Sequence, residues 1–108
     1  MTFQETAATF EQSGGGTDDF KRLYKEAFHL MKTDTENAGL YFVIGVAAHA
    51  YVLKYEDQAV TAELAENAKA ALVGFNAKIC AALSADAAKR LALLGEVACG
   101  YQFDVSNF

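Results

Sequence analysis

An all-α fold, a single-domain helical bundle of four main helices plus a short N-terminal helix, follows from three features of this sequence. It contains no proline, so no residue breaks a helix from within. Its second half is dominated by alanine with Leu, Glu and Lys, the residues of highest helix propensity. Apolar residues recur at spacings of three and four, the repeat of one helix face. At 108 residues the chain is one domain with a modest core. Residues 1–16 read as a short helix and a Gly-rich hinge, and residues 17–108 as the bundle.

The first helix is expected over 3–12. Thr2 followed by Glu5 forms a capping box, and Phe3, Ala7 and Phe10 share a face. Ser13-Gly14-Gly15-Gly16 ends it as a flexible hinge. No GK[ST] follows these glycines, and Asp18 and Asp19 come next, so they are not a phosphate loop. Thr17 or Asp18 caps the second helix, whose apolar side is Phe20, Leu23, Tyr24, Ala27, Phe28, Leu30 and Met31. Lys32-Thr33-Asp34-Thr35 is the connection, with Thr35 capping the next helix.

The chain is organised around residues 38–53, AGLYFVIGVAAHAYVL, which carry no Asp, Glu, Lys or Arg. A membrane span needs about 20 apolar residues. This run is shorter, is closed by Lys54, Glu56 and Asp57, and is diluted by Gly, Ala and His49, so it reads as a helix buried in a bundle. At helical spacing Tyr41, Ile44, Ala48, Tyr51 and Tyr55 form one stripe, and Phe42, Val46, His49 and Leu53 another. The tyrosine stripe is the expected interface of a homodimer, since tyrosine buries a large ring and still satisfies its hydroxyl.

A polar turn, KYEDQ, precedes a long helix. Thr61 caps it, with Val60 and Ala65 as a hydrophobic staple. It runs to Leu83, about 33 Å, with Val60, Leu64, Ala68, Ala71, Phe75, Ile79 and Ala82 buried. Ser84 or Asp86 caps the last helix, in which Leu91, Leu94, Ala98 and Tyr101 face inward and Asp86 pairs with Arg90 at i, i+4. Gly100 stops it. The tail YQFDVSNF is apolar without a helical pattern, so Phe103, Val105 and Phe108 are expected to cover something.

The net charge is −5 and uneven. Glu5, Glu11, Asp18 and Asp19 make the first 19 residues acidic, while Lys21, Arg22, Lys25 and Lys32 outnumber Glu26 in the next 13. An acidic chain with no large basic patch argues against nucleic acid as partner. The N-terminus MTFQETAATFEQ has neither a basic nor an apolar leader region, which points to the cytoplasm.

Four residue sets bear on chemistry. The segment His29-Leu30-Met31-Lys32-Thr33, followed by Gly39-Leu40, resembles the core of histidine phosphotransfer domains, small cytoplasmic helical bundles. His29, Lys32 and Gly39 stand at matching intervals, while Thr33 replaces the glycine after the lysine. The resemblance covers about a dozen positions. It implies an exposed His29 imidazole that takes a phosphoryl group, with Lys32 steadying the charge. His49 suits a ligand- or haem-binding site in a bundle core. It lacks a second ligand at metal spacing, so no metal or cofactor is expected. Ser84 and the cysteines have no catalytic company. The leading expectation is therefore a small cytoplasmic, non-enzymatic interaction or regulatory protein that self-associates as a dimer. Phosphotransfer through His29 and ligand binding through His49 are the alternatives. His29 is expected to be exposed and His49 largely buried.

Cys80 and Cys99 are expected to be free, small buried residues. On two helices joined near Ser84 their heights differ by roughly 16 Å, whereas a disulfide needs Cα atoms within about 7 Å. Thiol titration of the unfolded, unreduced protein is expected to count two; a count of zero contradicts the hairpin geometry.

Overall fold

The computed structural model describes residues 1–105. Its helices are α1 (Phe3–Gln12), α2 (Thr17–Thr33), α3 (Ala38–Tyr55), α4 (Ala62–Leu83) and α5 (Ala87–Gly100). A short 3₁₀ turn, Thr35–Asn37, leads into α3, and a π-helical turn, Tyr101–Val105, extends α5. There is no strand among the described residues.

Several helix ends form as the sequence dictates. In α1 the Glu5 amide donates to Thr2 Oγ1 at 3.1 Å, and the Thr2 amide donates to Glu5 Oε1 at 3.0 Å. Thr61 accepts from the Leu64 amide, and Asp86 from the Lys89 amide. Two ends differ from expectation. The N-cap of α2 is Gly16, whose amide donates to Asp19 Oδ2 at 3.0 Å. Thr35 opens the 3₁₀ turn, and α3 starts after Asn37 with no side-chain cap. Gly15 adopts a left-handed φ of 75°, which glycine accepts at little cost. It sits over the stem of Lys69, whose Nζ donates to the Ser13 carbonyl at 2.6 Å and so ties the hinge to α4.

α3 lies in the middle of the molecule. It packs most extensively on α2 and also meets α4 and α5, while α1 packs against α2 and α4. The core is built on rings. Phe20 and Tyr51 stack with centroids 4.1 Å apart, Phe10 meets Phe20 edge-on at 5.0 Å, and Phe3 lies 5.8 Å from Tyr41. Ala68, Leu72, Phe75, Ile79 and Ala82 supply the side of α4. Val60, Leu64 and Ala71 are only half-buried, so this face is turned from the expected one toward Leu72 and Asn76.

The α5 face is also turned. Leu93 and Val97 are buried, whereas Leu91 is 70% exposed and Ala98 is exposed. Apolar residues lie on every side of α5, so periodicity alone does not fix which side packs. Arg90 does not pair with Asp86. Its guanidinium reaches the carbonyls of Ala82 and Ala85 and the side chain of Asn37. The tail continues α5 as a π turn in which Phe103 is exposed and Val105 half-buried. Phe108 lies outside the described residues.

The α2–α3 contact is close at Gly45. A Cβ there would stand 2.2 Å from Phe28 Cε1, so the ring lies on the helix backbone. The ring is also flanked by Tyr24 and His49. Overpacking costs about 1–3 kcal/mol, against up to about 1 kcal/mol gained when alanine replaces a helical glycine. Gly45→Ala is therefore expected to lower stability by about 1 kcal/mol in urea unfolding. In a Phe28→Ala background the same substitution is expected to raise it. The same sign in both backgrounds overturns the close-approach explanation.

Candidate functional site

α3 is uncharged from Ala38 to Leu53, and the bundle covers only part of it. Together with the 3₁₀ turn it is long and apolar enough to cross a membrane, and 44% of that apolar window is buried. The covered part includes the tyrosine stripe. Tyr41, Ile44, Ala48 and Tyr51 are buried, and Tyr55 is half-buried with its ring 5.0 Å from that of Tyr51. The dimer interface expected on these five residues is thus corrected: α1 and α2 of the same chain cover the stripe, through Phe3 and Phe20.

The second stripe is the one left open. Phe42 is 53% exposed and Leu53 72%, with Val46 and His49 half-exposed between them and Gly39 at the near end. It spans about 21 Å from Gly39 to Leu53. On one flank the His49 ring lies 4.5 Å from Tyr24 and 6.3 Å from Phe28, both on α2. On the other, Gly39 faces Leu94 of α5, and Leu91 and Leu94 line a shallow cleft with Gly39 and Leu40. The result is an apolar strip of surface between α2 and α5. Soluble chains seldom leave contiguous apolar patches beyond a few hundred Å² uncovered.

His49 is therefore less buried than expected. Its ring neighbours are aromatic, and among the described residues no group of three His, Cys, Asp or Glu side chains converges as a metal site would. His29 is exposed, as expected, in a shallow surface depression with Tyr24, Lys25, Phe28 and Lys32. α2 ends at Thr33, so Gly39 lies on the next helix, beyond the 3₁₀ turn. No hydrogen bond orients the His29 ring among the described residues, whereas a nucleophilic imidazole is usually held by one. Cys80 and Cys99 are both free. Cys80 is half-buried and burial raises its thiol pKa, while Cys99 is exposed, contrary to expectation, because it lies on the outward side of the turned α5.

A polar cluster closes the end of the bundle where α3 begins. Tyr41 Oη donates to Asp34 Oδ2 at 2.6 Å, and Asn37 Nδ2 donates to the same oxygen at 3.0 Å. Arg90 Nη1 donates to Asn37 Oδ1 at 2.8 Å. The Tyr41 hydroxyl, then Asn37, hold the Asp34 carboxyl below its ordinary range. Burial, then the Asp34 contact, push Tyr41 well above the ordinary phenol. This cluster joins α2, the α3 entry and α5. Sequence reasoning missed it because its members lie 53 positions apart along the chain.

No family model matches the chain, and comparison with curated proteins and with solved structures likewise finds no match. The candidate site thus rests on its own geometry, an open apolar surface on α3.

The Tyr41–Asp34 pair of this cluster makes stability pH-dependent at both the acid and the alkaline end. The Asp34 contribution is present above the unfolded aspartate pKa of about 3.9 and is lost as pH falls below it. The Tyr41 contribution is present below the unfolded tyrosine pKa of about 10 and is lost as pH rises beyond it. Tyr41→Phe is expected to cost about 1 kcal/mol at neutral pH and to flatten both limbs. Urea midpoints at pH 3, 7 and 10.5 check this. An unchanged profile means that the Tyr41–Asp34 bond contributes nothing in solution.

Proposed function

We propose that this protein is a small non-enzymatic interaction protein of the cytoplasm that pairs with a second copy of itself through the open stripe of α3. The observation that carries the reading is the exposure of Phe42 and Leu53 on a helix with no charge between them. The spacing of the stripe favours a second copy as the occupant. Phe42 and Leu53 are centred between Ala47 and Ala48, and so are Val46 and His49. An antiparallel crossing about a two-fold axis at that point sets Phe42 against Leu53 of the second copy, and Val46 against its His49. Such a patch meets itself, as a two-fold interface requires. Leu91 and Leu94 of α5 widen the patch, and the tyrosines of α3 have no part in it. The reading assigns neither His29 nor His49 a chemical step.

Light scattering across a dilution series from about a hundred micromolar tests this. A dimer mass that falls to monomer on dilution is expected. Phe42→Glu and Leu53→Glu should each give a monomer with unchanged helical circular dichroism, since both side chains are exposed and take little part in folding. Phe42→Glu/Leu53→Lys should restore the dimer, because each Glu then faces a Lys across the two-fold axis. A monomer at every concentration, or a dimer indifferent to both single substitutions, removes the proposal.

A further inference from the structure

The open stripe of α3 consists of Gly39, Phe42, Val46, His49 and Leu53, and His49 is its one member that can take up a charge. The His49 ring is half-exposed, 4.5 Å from the ring of Tyr24 and 6.3 Å from that of Phe28. No hydrogen bond or ion pair holds it among the described residues.

No carboxylate is placed to answer an imidazolium at this position. On α2, the depression beside Tyr24 and Phe28 holds Lys25, His29 and Lys32. Asp19 and Glu26 of that helix line the cleft toward α1, and Asp18 lies near Lys21 at its start. On α3 itself Lys54 follows the stripe, and Glu56 is paired with Lys21. Glu63 and Glu66 of α4 are exposed, Glu96 of α5 is paired with Lys78, and Asp104 is exposed on the π turn.

Pairing through α3 changes what surrounds this ring. The antiparallel crossing sets His49 against Val46 of the second copy, between Phe42 and Leu53 of both. The two-fold axis runs perpendicular to the plane of the two α3 helices, so α2 of both copies lies on one flank. The charged groups brought nearest by the second copy are then Lys25, His29 and Lys32, not an acid. A neutral imidazole suits such a contact. An imidazolium loses water there and gains no counter-charge. In the separate chain the ring stays in contact with water, where imidazoles ordinarily take up a proton at about pH 6.5.

We propose that His49 is a pH switch for this pairing: the dimer holds at neutral pH with both His49 rings neutral, and mild acidification separates it. The inference rests on the two-fold pairing proposed above and adds its regulation. Two separate chains bind two more protons than the dimer, so the dissociation constant rises as pH falls. The net charge of −5 shrinks on acidification, which by itself favours association. The switch acts in the opposite direction, and the sign of the response tells the two effects apart.

The test is light scattering of the full chain across dilution series at pH 7.5 and pH 5.5, in about 0.15 M salt, which screens exposed charges beyond about 8 Å. The dissociation constant is expected to be at least tenfold higher at pH 5.5, the ceiling for two imidazoles being about a hundredfold. Helical circular dichroism should stay unchanged. His49→Leu should keep the dimer and make it indifferent to pH, whereas His29→Gln should leave the response in place. Val46→Glu sets a carboxylate against His49 of the second copy and should reverse the response, giving a dimer tighter at pH 5.5 than at pH 7.5. A monomer at both pH values removes the pairing and the switch together. A dimer with the same dissociation constant at both pH values, a response that survives His49→Leu or is lost in His29→Gln, or a Val46→Glu chain that pairs no better in acid overturns the switch and leaves the pairing standing.

Discussion

Phe20 has no exposed surface, and its ring lies 4.1 Å from that of Tyr51. Around this stack the rest of the bundle takes its place. α3 offers water almost nothing polar between Ala38 and Leu53, so its stability depends on what covers it. α2 supplies most of that cover, with Phe20, Leu23 and Ala27 buried and the Phe28 ring laid on Gly45. Phe10 of α1 meets Phe20 edge-on, so α1 is fixed through the same ring. A change that separates α2 from α3 would release α1 as well.

The polar groups sit where the apolar packing leaves helix ends to be satisfied. α3 begins without a side-chain cap, and α4 ends with carbonyls that lack partners in their own helix. Arg90 reaches both: it donates to the Ala82 carbonyl and to Asn37, and Asn37 in turn donates to Asp34. One side chain of α5 thereby closes α4 and steadies the entry to α3. The Lys21–Glu56 pair, at the far end of α2, and the Lys78–Glu96 pair between α4 and α5 lie at the surface and contribute little.

The open stripe of α3 arises from a shortage of cover. Among the described residues, the other four helices do not fully cover α3, which is apolar all round. On one side α3 is left with Phe42 and Leu53 in water. That shortfall favours a second copy, because the stripe is symmetric about its own centre.

Sequence alone determined the all-α class, the bounds of α1 and α4, the caps at Thr2, Thr61 and Asp86, and the separation of Cys80 from Cys99. These are local properties, set by propensity, by side chains that reach amides three residues away, and by helix rise. The exposure of His29 was legible too, from the lysines around it. Only the tertiary structure decided which stripe of α3 is covered. The Tyr41–Tyr55 stripe and the Phe42–Leu53 stripe are equally free of charge, so periodicity has no contrast to read. The same lack of contrast hid the turn of α5, where Leu93 and Val97 go inward in place of Leu91 and Ala98 and carry Cys99 to the surface. Arg90 meets Asn37 across 53 positions, a pairing no local pattern encodes. Where a helix has one apolar side the sequence names its buried face; where it is apolar all round, its neighbours choose.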